Sequence, residues 1–131
     1  MKQAVKRLLN QAEKPKGEVS ILLTTDTEIH GLNFQYRGYD KPTDVLSFCQ
    51  QDFSNQVPTI RGADSNLLGD VVISVDTAER QAAVHKVTLE QEIALLGVHG
   101  VLHLLGHEDE SVAGSLEMQR LEKEILGIAL R

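Results

Sequence analysis

The feature that most constrains the fold is an apolar stretch at residues 93–105, which two histidines interrupt and which a glycine follows. Apolar side chains occupy most of its positions, a pattern typical of a buried helix. His99 and His103 are four residues apart, so on an α-helix they lie about 6 Å apart along the axis and project from one face. Gly106 is expected to end this helix, after which the chain can turn back toward the histidines.

Two imidazoles in a buried helix need polar partners. A divalent ion bound to both rings provides one, and the acidic residues just after the helix offer further oxygen ligands. The alternative is a pair of core histidines hydrogen-bonded to backbone carbonyls. The chain has one cysteine, Cys49, which is far from the histidines in the sequence. An open catalytic site that retains a water position is therefore favoured over a closed structural one, and hydrolysis is the reaction class that it indicates.

The helix resembles the His-Glu-x-x-His helix of zinc proteases only in part, because Gly100 stands where that motif has its glutamate base. Glycine inside a helix costs about 1 kcal/mol relative to alanine, so its presence indicates a close approach at this position. Either substrate or another segment approaches the ion there, or the helix packs closely on a sheet. The sequence leaves both readings open.

The 131 residues are expected to form one domain, residues 1–131, because the length fits a single domain and the sequence shows no sign of a second one. Helical spacing predicts helices near residues 1–13, 27–35, 76–86, 88–105 and from about 112 onward. Strands are predicted at residues 19–24, 45–48 and 67–75, and residues 50–66 are predicted to be a loop. The fold class is therefore α+β, a small mixed sheet of about four strands in a single layer, covered by about five helices.

Local signals refine four of these elements. The continuous apolar run at residues 19–24 predicts burial on both faces. Asp26 is a candidate cap for the second helix, and Thr88 with Gln91 forms a capping box for the histidine-bearing one. In the last helix, an apolar stripe is predicted from residues that recur at helical spacing: Val112, Leu116, Leu121, Ile125 and Leu126.

Charge limits the surface that can contact nucleic acid. The net charge of −6 argues against a chain coated in phosphate-binding surface. The basic residues are concentrated in the first half of the chain, however, and the last third is acidic, so a local basic groove is compatible with the composition. The absence of an apolar run long enough for a membrane span, and of a signal peptide, leads us to expect a cytoplasmic protein with no membrane partner.

Three motifs in order resemble the YbeY endoribonuclease family. They are His-Gly-x-Leu-His-Leu-x-Gly at residues 99–106, the loop and strand at residues 36–48, and the strand at residues 68–74. The resemblance implies a metal-dependent endoribonuclease specific for single-stranded RNA, with one Zn²⁺ ion per chain. It also implies a role in ribosomal RNA processing, notably 3′-end maturation of the small-subunit rRNA, and in ribosome quality control. The implied partners are single-stranded RNA, rRNA and the ribosome or its proteins, and no DNA substrate is expected.

The resemblance assigns the metal ligands. His99 and His103 match the family's first two histidines, but Asp109 stands where the family has a third histidine, ten residues after the first. Aspartate is an acceptable zinc ligand, so Asp109 is the expected third one. His107 is the competing candidate, since it has the family's ligand type but lies two residues early.

Arg37 matches an arginine of the family's loop that is implied to contact the phosphate, and a guanidinium suits that role because it stabilises charge on phosphoryl oxygens. The alternative is a surface ion pair with Asp40 or Asp44. Lys41 and Arg61 are further candidates for holding the RNA strand, and Asp70 is a candidate partner for a metal-binding imidazole. Two other functions stay open: a metalloprotease-like zinc hydrolase, and a non-catalytic ribosome-associated module that retains the metal for stability.

Overall fold

The computed structural model describes residues 1–14, 16–49, 67–107 and 110–126. These residues form five helices and three strands, one strand fewer than the sequence predicted. In chain order they are α1 (Lys2–Gln11), β1 (Glu18–Thr24), α2 (Asp26–Arg37), β2 (Val45–Cys49), β3 (Leu67–Ser74), α3 (Val75–His85), α4 (Leu89–Leu104) and α5 (Val112–Leu126). The predicted α+β class is confirmed, and the predicted loop at residues 50–66 lies outside the described residues.

The three strands form one mixed sheet in the order β1-β3-β2. β3 is central, and it pairs in parallel with β1 and antiparallel with β2. The core on one face contains residues of β3 and of α1, α3, α4 and α5, including the fully buried Val71, Leu96 and Leu102. On the other face Ile29 of α2 covers Leu46 and Val72. The sheet is therefore a single layer between helices, as predicted.

β1 corrects one prediction. Its apolar run predicted burial on both faces, but Leu22 is 54% exposed and Leu23 is 48% exposed. In the described sheet β1 is an edge strand, so its side chains have a strand neighbour on one side only. Whether a strand is central or at an edge depends on pairing with distant segments, which the run itself does not encode.

The helix starts follow local capping rules. Thr88 Oγ1 accepts from Gln91 N at 3.1 Å and Gln91 Oε1 accepts from Thr88 N at 2.9 Å, which confirms the capping box of α4. The N-cap of α2 is Thr25, which accepts from Glu28 N, so the prediction of Asp26 as the cap was wrong.

Asp26 joins two helix starts instead. It is the first residue of α2, and its carboxylate accepts hydrogen bonds from Ser74, Thr77 and Arg80 at the start of α3. The Ser74 hydroxyl, followed by Thr77 and Arg80, lowers the pKa of Asp26 from 3.8 to about 2. The starts of α2 and α3 are therefore joined by a carboxylate whose ionised form is favoured more strongly in the folded protein than in the unfolded chain.

None of the helices in the described ranges is long and apolar enough to cross a membrane.

Candidate active site

The side chains of the two histidines of α4 lie next to each other on one side of the helix. His103 Nε2 lies 3.1 Å from His99 Nε2, and the ring centroids are 4.7 Å apart. Two imidazole nitrogens bound to one tetrahedral zinc ion at about 2.0–2.1 Å would be about 3.3 Å apart. The separation in the structure is within a few tenths of an ångström of that value, so the pair fits the coordination of a shared ion.

The far side of His99 is held by a carboxylate. His99 Nδ1 lies 2.7 Å from Glu122 Oε1, and Glu122 is only 5% exposed. Metal-binding histidines usually donate their second ring N–H to a carboxylate or carbonyl in this way. This contact is a second observation that fits the pair to a metal ion.

Gly106 ends α4, as predicted, and turns the chain toward the histidines. Its φ of 99° lies in the left-handed region that favours glycine. His107 N donates to Leu102 O at 3.0 Å and Gly106 N donates to His103 O at 3.0 Å, the two bonds of a Schellman motif. His107, the first residue after this turn, lines the same cleft as His99 and His103.

The third ligand stays a prediction. Asp109, the expected ligand, lies outside the described residues. His107 lines the cleft, but the described part of the chain contains no group of three His, Cys, Asp or Glu side chains that could hold a metal ion. The described residues therefore provide a two-histidine pair, and the choice between Asp109 and His107 rests on the sequence.

The histidines open onto a cleft of about 440 Å³ between the end of α4, strand β2 and the end of α2. Its described lining residues are Arg37, Asp44, Val45, Ser47, Cys49, His99, His103, Leu104, Gly106, His107 and Glu110. Arg37 is the last residue of α2. Gly38, which follows it, is the C-cap of that helix and has a φ of 76°. The cleft thus combines a histidine pair with one arginine, which is a suitable arrangement for an anionic substrate.

The other two predicted substrate-binding residues are not brought to this cleft by the described part of the chain. Lys41 is exposed, is not among the lining residues, and places its Nζ 5.8 Å from the centre of the Tyr39 ring. Arg61 lies outside the described residues. Their roles stay predictions.

The loop after Arg37 is tied down at several points. Asp40, one of the two carboxylates considered as an ion-pair partner of Arg37, lies 2.7 Å from His30 Nε2. The buried Asn33 donates to Lys41 O at 2.9 Å. Asp44 accepts from Val45 N at 2.8 Å and from Gln81 Nε2 at 3.2 Å. These bonds fix the segment that joins the arginine to β2.

Gly100 brings α4 against the sheet. A Cβ atom at this position would lie 2.6 Å from Val71 Cγ1 and 3.0 Å from Ser47 Oγ. Ser47 Oγ also donates to Gly100 O at 2.8 Å. Of the two readings left open by the sequence, close packing of the helix on the sheet is the one that the structure supports.

The comparisons with known proteins identify the family of this chain. The model of the family described as Endoribonuclease YbeY matches residues 1–129. The chain belongs to the YbeY endoribonuclease family.

Several relatives cover most of this YbeY-family chain. The Endoribonuclease YbeY of Pelotomaculum thermopropionicum is 49% identical over 112 residues, which are 86% of this chain and 72% of the relative. That of Moorella thermoacetica is 44% identical over 133 residues, 95% of this chain and 85% of the relative. A solution structure of a Thermotoga maritima protein matches with a TM-score of 0.61 at 27% identity, and covers 96% of this chain and 79% of that one. Membership in this family supports the prediction of an endoribonuclease, an enzyme that cleaves RNA.

Two of the three YbeY-like motifs line the cleft, and the third packs beneath it. The histidine motif is the end of α4, the loop motif supplies Arg37 and Ser47, and the strand motif supplies Val71 beneath Gly100. Asp70 was predicted as a partner for a metal-binding imidazole, and this is wrong. Side chains alternate along β3, so with Val71 facing α4, Asp70 lies on the opposite face of the sheet.

Glu122 is the residue that sequence reasoning missed. The predicted stripe of α5 included Val112 and Leu116, which are 79% and 60% exposed, whereas the buried residues of α5 are Met118, Glu122 and Ile125. These three recur at i, i+4 and i+7, so a carboxylate at helical spacing with two apolar residues was the available signal.

Proposed function

We propose that this chain is a metal-dependent endoribonuclease that cleaves phosphodiester bonds of single-stranded RNA. The observation that carries the proposal is the convergence of His99 and His103, whose Nε2 atoms are 3.1 Å apart, in a cleft that Arg37 also lines. Family membership supports RNA as the substrate.

His99, His103 and Asp109 would hold one Zn²⁺ ion. The nitrogen separation and the Glu122 contact of His99 support this assignment. When bound, the ion would supply a Lewis acid that activates water and polarises a phosphoryl group. The protein's own contribution is to orient the two rings and to leave the cleft open beside them.

Arg37 would bind the phosphate that is cut. Its position at the end of α2 is fixed by the Gly38 cap and by the bonded loop that follows. A guanidinium donates several N–H groups to phosphoryl oxygens, and it stabilises the negative charge that builds on them during the reaction. Lys41 and Arg61 would contact the strand farther from the cut bond.

The biological role that we propose is processing of ribosomal RNA, at the 3′ end of the small-subunit RNA, and ribosome quality control. It rests on the family resemblance of the three motifs. Cells in which His103→Ala replaces the parent chain should accumulate small-subunit RNA with extended 3′ ends. Normal ends in those cells would refute this role without bearing on RNA cleavage itself.

The activity is tested with one labelled RNA in single-stranded and duplex form and with DNA of the same sequence. The folded parent should cut only the single-stranded RNA, and a chelator should stop it. Arg37→Ala should slow cleavage by about 100-fold or more, because it removes a charge-stabilising donor. Arg120→Ala, which removes an exposed arginine outside the cleft lining, is the matched control and should cut as the parent does.

The same preparation separates the competing functions. Cleavage of an unstructured protein instead of RNA would indicate a metalloprotease. If chelation lowers the melting temperature but the parent leaves RNA intact, the chain is a non-catalytic binding module. Cleavage by Arg37→Ala at the parental rate would refute the role of Arg37.

A further inference from the structure

Glu122 is a buried carboxylate that the proposed reaction does not use. It is 5% exposed on α5, between Met118 and Ile125, which are each 1% exposed. A carboxylate is rarely retained in such surroundings unless it is paired. Its partner is His99, 23 residues earlier on α4, with 2.7 Å between Glu122 Oε1 and His99 Nδ1.

This contact determines which nitrogen of His99 is available in the cleft. A carboxylate oxygen accepts hydrogen bonds, so the 2.7 Å contact favours the tautomer of His99 in which Nδ1 carries the hydrogen and donates it to Glu122. In the neutral ring, Nε2 then carries the lone pair. Nε2 is the atom that faces His103.

We propose that Glu122 is a positioning residue for the candidate metal centre. Glu122 orients the His99 ring and keeps it in the tautomer whose Nε2 can bind a divalent ion. The inference deepens the proposed function and rests on its metal site. It also assigns a role to α5, whose Glu122 contacts His99 on α4. Partners of this kind typically change metal affinity by about 10- to 100-fold when they are replaced.

The chain contains its own control for a merely structural role. His85 Nδ1 lies 3.1 Å from both carboxylate oxygens of Glu92, which is fully buried at 0% exposed. This pair joins α3 to α4 through the same chemical groups, and neither residue is among those lining the cleft. Glu92→Gln therefore makes the same change, from a buried carboxylate to an amide, at a residue that does not line the cleft.

The test measures Zn²⁺ affinity of the metal-free, folded protein by competition with a chromophoric chelator, and the thermal melt of each variant. Glu122→Gln and Glu122→Met should each bind Zn²⁺ about 10- to 100-fold more weakly than the parent. Glu92→Gln should lower the melting temperature and leave the Zn²⁺ affinity near the parental value.

Equal Zn²⁺ affinity of the parent and both Glu122 variants would overturn the role of Glu122 and leave the metal site intact. An equal loss of affinity in Glu92→Gln would also overturn it, because the effect would then follow from stability alone. A parent that binds no Zn²⁺ would instead refute the metal site of the proposed function, and this inference with it.

A measurement on the metal-free parent keeps the inference testable if the Glu122 variants do not fold. Long-range ¹H–¹⁵N correlation spectra report which nitrogen of a neutral imidazole is protonated. The expected result is a proton on Nδ1 of His99. A proton on Nε2 would overturn the proposal.

Discussion

Replacing Gly100 by alanine tests how closely α4 packs on the sheet, and its effect can be worked out from the structure. The new Cβ would lie 2.6 Å from Val71 Cγ1, about 1 Å closer than the 3.5–4.0 Å at which carbon atoms attract. Val71 is 0% exposed, so it cannot relieve the contact by moving into solvent. Overpacking of this kind costs about 1–3 kcal/mol.

Two further effects act on the same substitution. Alanine is a better helix former than glycine by about 1 kcal/mol, which opposes the loss. If α4 moves away from the sheet to relieve the clash, the Ser47 hydrogen bond to Gly100 O is strained, which adds about 1 kcal/mol. These two effects nearly cancel, so Gly100→Ala should lower the free energy of unfolding by about 1–3 kcal/mol.

Gly31 provides the matched control. It lies within α2, and a Cβ atom there would meet nothing within 4 Å. Gly31→Ala should therefore show the helix preference alone and raise the free energy of unfolding by up to about 1 kcal/mol. Urea denaturation of the parent and the two variants in metal-free buffer measures the difference. If Gly100→Ala proves as stable as Gly31→Ala, the close packing of α4 on Val71 is incorrect.

Three other substitutions test the fold. The pKa of Asp26 falls from 3.8 to about 2 on folding, so its ionised form stabilises the protein above about pH 4 and this contribution is lost as the pH falls through 2. Asp26→Asn should therefore cost about 1–2 kcal/mol near pH 6, allowing for partial exposure, and match the parent near pH 2; a constant difference across an acid titration would contradict this. Thr88→Ala should cost about 1 kcal/mol by removing the cap of α4, as seen in urea midpoints, and no change would rule out the cap. Leu102→Ala, at a site 0% exposed, should cost about 2–5 kcal/mol, and a loss under 1 kcal/mol would place Leu102 outside the core.

The sequence was most informative where the structure is determined locally. The capping box at Thr88 and the stop at Gly106 both act within one turn of the chain, and they correctly bounded the helix that carries the histidines. The four-residue spacing of His99 and His103 likewise fixes their common face once the helix is known. The helix and its histidine pair were therefore predictable without a fold.

The sequence was least informative where distant segments meet. The exposure of Leu22 follows from the position of β1 at the edge of the described sheet, and the contact of His99 with Glu122 follows from the packing of α5 on α4. The run of β1 does not encode its edge position, and the spacing of Glu122 with Met118 and Ile125 indicates burial but not that His99 is the partner. The role of Gly100 was open for the same reason, since its neighbours Val71 and Ser47 lie on two strands that are distant from α4 in the sequence.

The central claim, that His99 and His103 bind an ion that serves RNA hydrolysis, is tested most directly by the zinc content of purified variants. The parent should carry one Zn²⁺ per chain. His103→Ala and Asp109→Ala should lose the ion together with cleavage of single-stranded RNA, and His107→Ala should keep both. Folded His103→Ala that retains one Zn²⁺ per chain and cuts RNA at the parental rate would contradict the account.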